Sequence, residues 1–65
     1  MKKKTFYKEI LSELGEINRK IQCLEACFKV ISQPELVDSV NYQLMGLKLR
    51  RQYLFGQLRT IYKQQ

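Results

Sequence analysis

The stretch Ile31-Ser32-Gln33-Pro34-Glu35-Leu36 contains the only proline in the 65-residue chain and divides it into two segments. Proline has no N–H to give a helix, and the Pro34 ring would meet the carbonyl of Val30 if one helix ran straight through, so the chain should turn here. Other signals mark a helix starting just past the break. Ser32 and Glu35 have the spacing of a capping box, in which the Ser32 hydroxyl accepts from the Glu35 N–H and the Glu35 carboxylate from the Ser32 N–H. Ile31 and Leu36 stand where a hydrophobic staple would sit, and Pro34 falls in the first turn, where its missing donor costs nothing.

Each side of this corner carries a long apolar seam. Tyr7, Ile10, Leu14, Ile17, Ile21, Leu24, Phe28 and Ile31 recur at alternating spacings of three and four, as do Val37, Val40, Leu44, Leu47, Arg51, Leu54, Leu58 and Ile61. That spacing places one stripe on a helix packed lengthwise against another. The two seams are out of step by two residues, so one continuous helix would swing its stripe around at Pro34. An antiparallel hairpin packs the stripes face to face. The expected fold is all-α, a single helical-hairpin domain over residues 1–65, with helix 1 at about 5–31, a turn at about 32–34 and helix 2 at about 34–63. Arg51 in the seam needs a partner or an exit to solvent, and its level in the hairpin points to Glu13 or Glu16.

A chain this short rarely builds a core worth more than about 3–5 kcal/mol without help. Helix 2 offers a means of help. At 100° per residue, Tyr42, Met45, Leu49 and Tyr53 form a second apolar stripe opposite its seam, with Gly46 and Gly56 beside it. A hairpin has nothing to cover that stripe. The expectation is a homodimer in which second helices meet, the glycines allowing close approach, to give a four-helix bundle.

Charge is segregated along the chain. Up to Asp38 there are seven bases and all six acids; beyond it stand Lys48, Arg50, Arg51, Arg59 and Lys63 with no acid at all, within a net charge of +6. Lys48, Arg51, Arg59 and Lys63 form a cationic flank that could track phosphates, although no DNA- or RNA-reading motif accompanies it. Met1 to Lys4 and the same helix offer a weaker case for an anionic membrane surface. The first four residues lead into charged sequence, and no apolar run approaches the roughly 18 residues of a membrane span, so a cytoplasmic protein is expected.

Catalytic chemistry has few residues to work with. There is no His, no phosphate-cradling glycine loop and no paired inward carboxylates, and Glu35 and Asp38 are accounted for by the helix start. No enzyme activity, cofactor, metal or small-molecule substrate is expected. Cys23 and Cys27 are one helical turn apart, too few for a zinc site in one chain, and read as reduced, buried or half-buried structural thiols.

The run from Phe28 to Tyr42, with Pro34, Glu35, Leu36, Val37, Asp38 and Tyr42, followed by Gly46, Arg50, Tyr53, Leu54 and Phe55, resembles the YaaL-like family of small Firmicute proteins. Gln33, Asn41, Gly46 and Arg51 depart from that family's pattern. The resemblance implies a bacterial cytoplasmic protein and no assigned activity. It also points to a surface: Asp38, Tyr42, Gly46 and Tyr53 lie on the outer stripe of helix 2. The expected function is a protein-interaction module that self-associates through helix 2, with Asp38, Tyr42, Met45, Gly46, Leu49, Arg50 and Tyr53 as partner-binding residues. The alternative is a nucleic-acid-associated factor using the basic flank.

Overall fold

The computed structural model describes residues 2–63, with side chains from residue 4 onward. Two helices, α1 (Lys2–Phe28) and α2 (Pro34–Lys63), fold back on each other into a hairpin about as long as α2 itself, 48 × 15 × 13 Å in extent. The fold class read from the two seams is the one observed.

The interior is a single apolar layer along the line where the helices meet. Ile10, Leu14, Ile17 and Ile21 of α1 and Val40, Leu44 and Leu54 of α2 are buried, and Leu24, Phe28, Ile31, Leu47, Leu58 and Ile61 pack against them. All thirteen are seam residues predicted from spacing. Of the remaining three, Tyr7 is exposed and Val37 and Arg51 are half-buried.

The corner differs in detail from the sequence expectation. Helix α1 ends at Phe28, three residues early, because the chain tightens there: Lys29 N–H donates to the Ala26 carbonyl (3.2 Å), and the N–H groups of Val30 and Ile31 both donate to that of Cys27 (3.0 and 3.1 Å). Val30 is thereby turned out, 82% exposed, while Ile31 folds back on the core. Helix α2 begins at Pro34, so the cap is Gln33, whose carbonyl accepts from Leu36 (3.1 Å) and Val37 (3.0 Å). Pro34 thus occupies the first helical position, where its fixed φ is already helical and its absent N–H is not missed. Among the described residues the Ser32 hydroxyl makes no hydrogen bond, so the capping box does not form. Leu36 is left 47% exposed, so the other half of the expected staple lies in solvent.

Arg51 also departs from expectation. It remains half-buried in the seam, but its Nη1 donates to Oδ1 of Asn18 (3.1 Å) and not to Glu13 or Glu16. The neutral amide satisfies one guanidinium donor and leaves the charge at the seam's edge, which avoids burying an ion pair.

Ile17→Ala, in the middle of the layer, should cost about 2–5 kcal/mol, whereas Ser32→Ala should stay within about 0.5 kcal/mol because no cap is lost. Urea denaturation followed by far-ultraviolet circular dichroism measures both. A Ser32→Ala cost above about 1 kcal/mol would mean that the hydroxyl caps α2 in solution.

Candidate functional site

The face of α2 turned away from α1 carries Tyr42, Met45, Leu49 and Tyr53, which are 77%, 59%, 61% and 54% exposed. Scattered exposed apolar side chains are ordinary, but these four recur at spacings of three and four and so form one stripe along the helix. Asp38 and Gly46 are exposed on the same face. A Cβ added at Gly46 or Gly56 would meet no heavy atom within 4 Å, so nothing in the hairpin requires glycine at either position. Each nevertheless costs the helix about 1 kcal/mol relative to alanine. The third glycine, Gly15, faces only the end of the Arg19 side chain at 3.8 Å, so no backbone approaches it closely.

Arg50 links this face to α1. Its Nε and Nη2 donate to the two carboxylate oxygens of Glu13 at 2.7 and 3.2 Å, a fork-to-fork pair, and its guanidinium lies 5.1 Å from the centre of the Tyr53 ring. The hydrogen bond from Arg50 holds the Glu13 carboxyl below its ordinary range, and the carboxylate in turn raises Arg50. Glu13 and Arg50 each stand one residue before a seam residue, and in an antiparallel pair like flanks meet. The same rule brings Lys48 to Glu25 on the opposite flank, at a looser 3.9 Å. Arg50, read from sequence as a partner-binding residue, therefore has a partner within the fold.

The proposed phosphate-binding residues are not equivalent. Arg51 is half-buried and bonded to Asn18, and Lys48 lies against Glu25. Arg59 and Lys63 are exposed toward the end of α2. Two of the four thus keep an open cationic head, and the continuous basic flank is divided. Lys4 is exposed, and the side chains of residues 1–3, on which the membrane-surface reading also relied, lie outside the described residues.

Cys23 and Cys27 correct a further expectation, for both are exposed free thiols. Each stands one residue before a stripe residue, Leu24 or Phe28, and so lies on the flank of the α1 stripe. Cys23 edges a shallow groove formed with Glu16, Arg19, Lys20, Leu24, Gln43 and Leu47, which opens between the helices. Among the described residues no helix is long and apolar enough to cross a membrane.

No family model matches the chain, and neither a curated protein nor a solved structure is significantly similar to it.

Glu13 binds its proton less readily in the fold than when unfolded, so the Glu13–Arg50 pair stabilises fully above the ordinary carboxylate range. That contribution disappears as pH falls through the lowered folded value. Thermal melts of wild type and Glu13→Gln from pH 7 to pH 2 should differ at neutral pH and converge in acid; parallel curves would show that the pair adds nothing. Both cysteines should react with iodoacetamide in the folded protein nearly as fast as in urea, measured by mass spectrometry. A protected thiol would contradict the exposure found here.

Proposed function

We propose that this protein is a non-enzymatic interaction module, cytoplasmic and of the YaaL-like type, that self-associates through the outer face of α2. The observation that carries this reading is the exposed stripe Tyr42, Met45, Leu49 and Tyr53, a second amphipathic face on a helix whose first face already has its partner. Covering such side chains contributes about 1.5–3 kcal/mol for each large apolar residue fully buried, far more than the surface ion pairs of a hairpin supply. The mid-helix glycines support it as well, since they cost helix stability and nothing within the hairpin accounts for them.

Binding of nucleic acid by Lys48, Arg51, Arg59 and Lys63 is the weaker reading, because Arg51 and Lys48 already have contacts on α1. Salt separates the two. Phosphate contacts weaken log-linearly as salt rises, while burial of an apolar stripe is comparatively indifferent to it.

The expected outcome is a melting temperature that rises with protein concentration and a dimer in sedimentation equilibrium that persists from 50 mM to 500 mM salt, with Leu49→Glu giving monomers. A folded monomer at hundreds of micromolar would sink self-association. Tight oligonucleotide binding with a steep salt slope, unaffected by Leu49→Glu, would favour the basic flank.

A further inference from the structure

The outer face of α2 is close to a palindrome about Leu49. Four residues to either side stand Met45 and Tyr53; seven away, Tyr42 and Gly56; eleven away, Asp38 and Thr60; fourteen away, Glu35 and Lys63. At 100° per residue all nine positions fall within about 40° of one line, and that line runs opposite the seam. The palindrome is one of position, and in character it is complementary. A carboxylate at one end answers an ammonium at the other, and a large ring answers a missing side chain.

From this we infer that the stripe's occupant is a second copy of α2 lying antiparallel, with the twofold axis passing beside Leu49. The inference rests on the self-association reading and adds orientation, register and architecture to it. Glu35 of each copy meets Lys63 of the other, and Asp38 meets Arg59, which lies on the same margin of the interface. Tyr42 packs over Gly56, where the hairpin leaves open space around the α-carbon. Met45 and Tyr53 share a layer on each side of a central Leu49 pair.

Charge decides the orientation. Every acid of α2 is in its first turns, at Glu35 and Asp38, and its five bases follow from Lys48 onward. Side by side in parallel, the two copies would set acid against acid at one end and Arg59 and Lys63 against their own kind at the other. Antiparallel pairing separates the cationic halves, lays each over the partner's acidic start and opposes the two helix dipoles. Tyr53 is already braced for this contact by the Arg50 guanidinium, which Glu13 holds from α1.

The resulting assembly is not a closed bundle. Because the stripe and the seam lie on opposite sides of α2, the four helices stand in one row, α1, α2, α2 and α1. Each α1 keeps its outer face free, Cys23 and Cys27 included.

Zero-length carbodiimide coupling of the wild-type protein, read by peptide mass spectrometry, tests orientation directly. Within one chain Glu35 and Lys63 are separated by nearly the whole of α2, about 42 Å, so an amide between them can form only between copies. The expected result is a covalent dimer containing the Glu35–Lys63 link, abolished by Leu49→Glu. A sedimentation dimer that lacks this link, and in which Lys63→Cys in a Cys23→Ser, Cys27→Ser background oxidises to a disulfide-linked dimer, would overturn antiparallel pairing and leave self-association standing. A dimer unchanged by Leu49→Glu would overturn the stripe as the interface, and a monomer throughout would overturn both readings.

Discussion

The structure depends on one apolar layer between two helices. Among the described residues every buried side chain belongs to it: four from α1 and three from α2, with six more leaning on its edges. Neither helix has another interior to join, and each taken alone would expose its seam to water. The corner at residues 29–33 makes the layer possible by reversing the chain within five residues, and Pro34 makes the reversal obligatory by forbidding the helix to continue. Polar contacts then trim the layer at its edges. Glu13 with Arg50 and Glu25 with Lys48 occupy opposite flanks, and Asn18 takes the guanidinium of Arg51 where the seam would otherwise enclose an unpaired charge.

The helices and their pairing were legible because periodicity is a statement about many residues at once. Losing Tyr7 from the buried set, or finding Arg51 among Leu and Val, does not disturb a pattern carried by thirteen others. The cap was not legible in the same way. Ser32 and Glu35 satisfy the spacing of a capping box, and Pro34 two residues after Ser32 is compatible with it, but proline is better placed at the first helical position, and that single preference moves the cap to Gln33. A choice between neighbouring positions turns on fractions of a kcal/mol, and sequence spacing does not resolve it.

The partner of Arg51 within the fold was not legible for a related reason. The level of Arg51 along the hairpin points to the right part of α1, but level alone leaves rotation about the axis undetermined. Glu13 lies on the flank that Arg50 faces, and Asn18 on the one toward which Arg51 leans. Matching like flank to like flank would have found the Arg50 and Lys48 pairs from sequence. Composition favours burial for a thiol, whereas Cys23 and Cys27 fall outside the three-and-four spacing that defines the seam and are exposed. The outer stripe of α2, by contrast, was readable from spacing and is as exposed as its phase demands.

The tight corner also bears on how the hairpin forms. Phe28 and Ile31 join the core close to the corner, whereas Ile10 and Leu54 belong to it from positions separated by most of the chain, and the entropic cost of closure grows with that separation. Ordering should therefore spread from the corner outward, one turn of each helix enabling the next, with low contact order favouring speed. The Glu13–Arg50 clasp sits in the later-closing half, where it bridges the two helices once they have met. Local opening accordingly concentrates where α1 begins and α2 ends, far from Pro34, and the corner is the last part of the hairpin to come undone.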